Sequence, residues 1–312
     1  MYPNSKPVPY HVLYIVIPVI SFIGNGLIVY VTIRSRALRS PCSILIALVS
    51  LSDMMLISSN LISTSFHNIV QKETIPQPIC AYLQLIPLFG ACTSPMFLFA
   101  IAIDRLLSMM TFYKAMVASY SRHYIVAQVL PGCIMGTVLD VLVLANRKYD
   151  QMVVCILVTP MQGTINDVYS RVIIAVCFLI ILCNVSFLFF LKKLRMNSRK
   201  SKSIYRSVVI ISLSVVLGYF STMAVFSMKK AFNLSIEMIY LNLIAGLFTT
   251  TATSVNFFVY YGISKEYRSI FDKLLGIGHI KTWLSENIHS DIQQTTNQPK
   301  QSSFRSTLTP VT

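Results

Sequence analysis

Charge is scarce in this sequence. Asp, Glu, Lys and Arg together make up only 12% of its 312 residues, about half the ~25% usual in soluble domains. Several signatures of enzyme chemistry are missing. There is no His-Glu-x-x-His, no Gly-x-Ser-x-Gly, and no second aspartate placed in a span to pair with Asp53, which counts against an intramembrane hydrolase. No internal repeat is found, so a transporter built from repeats gains no support. What is abundant is apolar: 54% of the chain is hydrophobic, arranged in long runs between clumps of charge. Such runs read as membrane-spanning helices. The net charge of +15 would suggest nucleic acid in a soluble protein; in a membrane protein it marks the cytoplasmic face, so no nucleic-acid partner is expected.

Seven runs qualify as spans: Tyr10–Ile33, Pro41–Phe66, Cys80–Met110, Tyr124–Ala145, Val172–Leu191, Ser207–Met228 and Ile236–Ile263. Each reaches the roughly 20 residues needed to cross a hydrocarbon core. Unpaired backbone groups are not tolerated in lipid, so these are expected to be helices, and the fold an all-α seven-helix bundle. The loops after spans one, three and five, with the C-terminal segment, hold 19 of the 26 Lys and Arg residues. The densest cluster runs from Lys192 to Arg206. By the positive-inside rule that side is cytoplasmic and the N-terminus extracellular. Residues 1–9 form a short outer segment without a signal-peptide leader, residues 10–275 the bundle, and the Ser-, Thr- and Gln-rich residues 276–312 a cytoplasmic tail expected to be disordered.

Cys80 and Arg105 lie 25 residues apart in span three, roughly 37 Å of helix against a core of roughly 30 Å. Cys80 therefore sits at the outer surface and Arg105 at the inner one. Five of the seven cysteines fall inside spans, leaving Cys80 and Cys155 on the oxidising side. A disulfide between them follows; the alternative is two free thiols. Asn25, Asp53, Ser94 and Asn256 all lie roughly 14–18 Å from the cytoplasmic boundary, at about 1.5 Å per residue. An ionisable group at that depth must face the bundle interior and find partners. A cluster of the four is the economical arrangement. It would serve either as a site for a small cation such as sodium or as a structural cluster around a protonated Asp53. Asp104 and Arg105 close span three, where a long guanidinium can fold back on an adjacent carboxylate; the plainer reading is an interfacial anchor pair.

These residues, at these separations, resemble the rhodopsin-like G-protein-coupled receptors. The matching elements are Gly24-Asn25, Leu51-Ser52-Asp53, Cys80, Asp104-Arg105-Leu106 and Asn256-Phe257-Phe258-Val259-Tyr260, with Tyr267 in a short amphipathic helix over 264–275. Three departures stand out. Span four has no tryptophan, since the one in the chain is Trp283. Span six reads Leu217-Gly218-Tyr219-Phe220 where the family has Trp-x-Pro, and proline is absent from span five and from Asn256–Tyr260. With these losses the chain is most similar to the nematode chemoreceptors of serpentine receptor class SX.

The resemblance implies a receptor for an unknown small-molecule ligand that activates a heterotrimeric G protein through Asp104, Arg105 and Tyr260. It places the receptor in the plasma membrane, in a sensory cilium for a chemoreceptor. It also implies arrestin as a partner of Ser302, Ser303, Ser306 and Thr307 once phosphorylated, the alternative being plain disordered tail; the charge of the basic loop 192–206 would face membrane lipid, or serve only to set topology, which is the plainer reading. Amine receptors carry an aspartate where this chain has Pro87, and opsins a span-seven lysine that is missing here. An outer cavity lined by Pro87, Leu88, Ala91, Tyr219 and Thr250 would be mainly apolar with a few hydroxyls, fitting an odorant-like molecule; the alternative is that these residues only pack the bundle. The sequon Asn233-Leu234-Ser235 lies too close to the membrane for efficient use. A neuropeptide receptor is the alternative within the family. A transporter or channel is the alternative outside it, and would need charge spread along a pathway, whereas Asp53, Asp140 and the residues near Arg105 are the charged interruptions of the spans.

Overall fold

The computed structural model describes residues 8–70, 74–193, 199–232 and 238–274. The N-terminal residues 1–7, the tail 276–312, the sequon and part of the basic loop after span five lie outside the described residues. The chain divides into two units, residues 1–268 and 269–312. The first holds the helical bundle. Of the second, the structure describes only residues 269–274, which complete the last helix.

Nine α-helices are described: α1 (Val8–Arg34), α2 (Pro41–Val70), α3 (Gln77–Leu107), α4 (Tyr113–Ala145), α5 (Thr164–Lys193), α6 (Arg199–Ala231), α7 (Met238–Ser254), α8 (Asn256–Ile263) and α9 (Lys265–Leu274). Among the described residues, α1 to α5 are long and apolar enough to cross a membrane, and α6 carries a shorter apolar stretch, Val209–Thr222. The seventh span is divided, α7 and α8 meeting at Val255. Ser40 and Pro41 start α2 as a hydroxyl cap and a first-turn proline should, with Ser40 Oγ accepting from the Ser43 amide at 3.2 Å. The helix expected from Tyr124 begins at Tyr113 instead and bends at Tyr120 (φ −130°, ψ 32°). Lys114, Arg122 and His123 make that first stretch polar, so hydropathy alone does not reveal it.

α3 is the central helix. Leu88, Ala91, Cys92, Ser94, Leu98 and Ile101 are each at most 1% exposed. It approaches α2 very closely: a Cβ on Gly90 would lie 2.5 Å from the Ser52 carbonyl oxygen and 2.6 Å from the Leu56 nitrogen. Small residues at such crossings are how helices pack in membranes, where apolar contact alone gives little preference over lipid. The outward faces stay apolar, as lipid allows, with Phe178, Leu182 and Phe189 exposed.

Before α3, β1 (Ile75–Pro76) pairs antiparallel with β2 (Met152–Val153), Ile75 opposite Val153. The Gln77 amide extends the pairing to the Gln151 carbonyl at 2.8 Å. Next to this pair Cys80 is disulfide-bonded to Cys155, Cα atoms 5.4 Å apart. Ile75, Cys80, Val153 and Cys155 form a small buried cluster with Leu83 against it. The segment after α4 is thereby pinned to the start of α3.

Candidate functional site: a polar core and an ionic lock

Asp53, on α2, is fully buried. One carboxylate oxygen, Oδ1, accepts the Ser94 hydroxyl from α3 at 2.6 Å, and Oδ2 accepts the Asn256 amide from α8 at 2.6 Å. One residue earlier on both α2 and α3, Thr93 Oγ1 donates to Ser52 Oγ at 2.9 Å. The two adjacent pairs stitch α2 to α3 where Gly90 admits the close approach. Asn25 takes a different course. Its amide donates to Ser21 Oγ at 3.0 Å within α1 and to the Thr253 carbonyl of α7 at 3.4 Å. The structure thus brings Asp53, Ser94 and Asn256 into direct contact and ties Asn25 to the end of α7 instead. Asn25 Oδ1 and Asn256 Oδ1 are buried without a hydrogen-bond partner among the described residues.

Asn256 reaches Asp53 from the first residue after the α7–α8 junction. No proline makes this junction. Hydroxyls do the work: Thr250 Oγ1 donates to the Gly246 carbonyl at 2.8 Å, Thr253 Oγ1 to Thr249 at 3.1 Å, and Ser254 Oγ to Thr250 at 2.6 Å. Such back-bonding competes with the helical ladder and bends helices.

At the C-terminal end of α3, Arg105 Nη2 lies 3.0 Å from Asp104 Oδ2. The other oxygen, Asp104 Oδ1, accepts two phenols, Tyr113 at 2.7 Å and Tyr124 at 3.0 Å. Gln128 donates in turn to the Tyr124 oxygen at 3.3 Å. Charge-assisted bonds of this kind are about twice as strong as neutral ones, and here they hold a carboxylate that is itself completely buried. Tyr113 and Tyr124 escape sequence reasoning because the bend at Tyr120 is what turns both toward α3. Tyr260, 2% exposed, packs against Tyr267 with ring centroids 5.0 Å apart and the planes tilted by 35°. Burial pushes the Tyr267 phenol up to about 12, against the opposing effect of hydrogen bonding to Thr32 and Ser43.

The residues expected to line a ligand cavity divide. Tyr219 of α6 donates its hydroxyl to the Ala91 carbonyl at 3.4 Å, and so does Tyr169 of α5 at 3.3 Å. Thr250 accepts the Asn60 amide from α2 at 2.9 Å. Pro87 is buried in α3. Leu88 packs with Ala81, Cys92, Leu139, Val143 and Met161, between α3 and α4. Asn60 and Tyr169 carried no signal in the sequence, since a single Asn or Tyr in an apolar helix fits any packing.

The family described as serpentine type 7TM GPCR chemoreceptor Srsx matches residues 18–275. Two compound eye opsins of Hemigrapsus sanguineus are similar over a stretch of 62 residues, BCRH1 at 37% identity and BCRH2 at 36%. That stretch covers 19% of this chain and 16% of either opsin.

Proposed function

The chain belongs to the Srsx family of serpentine seven-transmembrane G-protein-coupled chemoreceptors, and from that premise we propose that it is a chemosensory receptor that binds a small molecule in the outer half of its bundle and activates a heterotrimeric G protein. The family is one of multi-pass membrane receptors rather than enzymes. Opsin-like light sensing is not part of this reading, for no lysine occurs between Ile236 and Ile263 to hold a retinal.

The observation that carries the reading is the closed lock at the end of α3, where Asp104 holds Arg105 and is itself held by Tyr113 and Tyr124. A ligand that binds the active arrangement better than the resting one shifts the population toward it. Arg105 then leaves Asp104, the inner helix ends part, and the G protein enters. Coupling of this kind is reciprocal, so the G protein tightens ligand binding. Tyr260 and Tyr267 hold the inner end of the last span in the resting position. Of the outer residues, Tyr219 and Ala91 lie where a ligand would act on α6; Pro87, Leu88 and Thr250 complete the candidate lining.

The polar core offers oxygens that a small hard cation takes: the Asp53 carboxylate, the Ser94 hydroxyl and the unpartnered Asn256 Oδ1. These residues would hold a sodium ion, which would balance the buried charge. The N-terminus is extracellular on the distribution of Lys and Arg, with the basic loop on anionic lipid and the Ser- and Thr-rich tail available to arrestin. Chemosensory work would place the receptor in a sensory cilium. Replacing Arg105 with Ala is expected to abolish G-protein signalling, read as cAMP and calcium during a ligand screen, at unchanged surface expression. Undiminished signalling would sink this mechanism.

A further inference from the structure

Proline has no N–H and cannot complete the helical bond to the carbonyl four residues back. Pro95 lies inside α3, so the Ala91 carbonyl is left without its regular partner at the most buried part of the bundle. Freed carbonyls in membrane helices are satisfied by neighbouring helices. Here two neighbours answer at once: Tyr169 from α5 at 3.3 Å and Tyr219 from α6 at 3.4 Å. Both distances are long for O–H···O bonds, whose usual range is about 2.5–3.0 Å. Each bond is therefore weak enough to break in a conformational change, yet breaking both strands a buried acceptor.

We infer that the Ala91 carbonyl, exposed by Pro95 and shared by Tyr169 and Tyr219, is the tie that holds α5 and α6 against α3 in the resting receptor. The two tyrosines are positioning residues: they act on the G protein only through where α6 sits. α6 has no Trp-x-Pro to bend it, so the tie supplies the resting restraint from the opposite side, as a proline in α3 instead of α6. An outer ligand promotes activity by drawing the Tyr219 hydroxyl away. Asp53 and the Asp104–Arg105 lock lie deeper and respond after it.

This inference rests on the receptor reading above. In cells expressing matched surface levels, Tyr219→Phe removes one donor and keeps the ring. Pro95→Ala restores an N–H, giving the carbonyl a partner inside α3 and weakening both tyrosine bonds without altering either tyrosine. Each variant is expected to raise ligand-independent G-protein signalling about fivefold, the equivalent of about 1 kcal/mol for one net hydrogen bond. Where the wild type gives a measurable basal signal, no rise in Tyr219→Phe overturns the tie, as does a rise in that variant with none in Pro95→Ala. Loss of both variants from the surface also overturns it, because the bonds would then serve folding alone. Arg105→Ala introduced beside Tyr219→Phe should return signalling to background. If it does not, or if no variant signals at all, the receptor reading fails instead. The tie is then judged on purified protein by the rate at which a maleimide labels Cys92, located by peptide mapping. Cys92 is 1% exposed, in a cluster against which Tyr169 packs. Faster labelling in both variants upholds the tie; an unaltered rate rejects it.

Discussion

Among the described residues Asp53 has two donors and no cation as partners, so its carboxylate depends on Ser94 and Asn256 for whatever replaces water. Removing the carboxylate orphans both donors, at about 1–3 kcal/mol for each buried group left unsatisfied. Asp53→Ala should therefore lower the thermal unfolding midpoint of the purified receptor. Sodium gives a second, independent measurement. An ion present at about ten times its dissociation constant stabilises the folded state by about 1.4 kcal/mol. Exchanging sodium chloride for choline chloride should lower the midpoint of the wild type and leave Asp53→Ala unmoved. A wild-type midpoint indifferent to sodium would assign a neutral carboxylic acid. The depth of Asp53, Ser94 and Asn256 could be read from residue counts. That Asn25 turns toward Ser21 and the Thr253 carbonyl could not, because depth fixes height along a helix and says nothing about side-chain direction.

Helix–helix fit is the property of the elements, and the α2–α3 crossing is its sharpest instance. A methyl group on Gly90 meets backbone atoms of α2 at 2.5 and 2.6 Å, and backbone cannot swing aside as a flexible side chain can. Gly90→Ala should cost at least the 1–3 kcal/mol typical of overpacking, and more where it also parts Ser94 from Asp53. Gly262 is the control, since a Cβ there meets nothing within 4 Å; Gly262→Ala should leave the midpoint unchanged or slightly raised. Surface expression and thermal unfolding of the two variants, measured together, check the contrast. Apolar runs made the cores of these helices legible. Their ends were less so: α4 starts eleven residues before Tyr124 because its polar first turns lack the apolar signal, and α7 stops at Ser254 through threonine and serine back-bonding rather than at a Pro or Gly.

Topology belongs to the whole molecule. The excess of Lys and Arg after spans one, three and five and in the C-terminal segment is what the proposed orientation, N-terminus outside, rests on. An epitope at the N-terminus should be stained on intact cells, and one at the C-terminus only after permeabilisation. The reverse pattern would overturn the orientation, and with it the assignment of the lock at Asp104 to the cytoplasmic side.

The amino-acid sequence by itself determined that the chain is a bundle of membrane helices, that Cys80 and Cys155 are the two cysteines outside the spans, and that its motifs are those of a serpentine receptor. These are matters of composition, length and spacing, which survive any rotation of a helix about its axis. The tertiary structure decided the partners: Tyr113 and Tyr124 on Asp104, Asn256 on Asp53, Tyr169 and Tyr219 on the Ala91 carbonyl. A helix that is apolar on every side gives no face to read. Only packing against its neighbours sets its rotation, and so which of its few polar atoms meet.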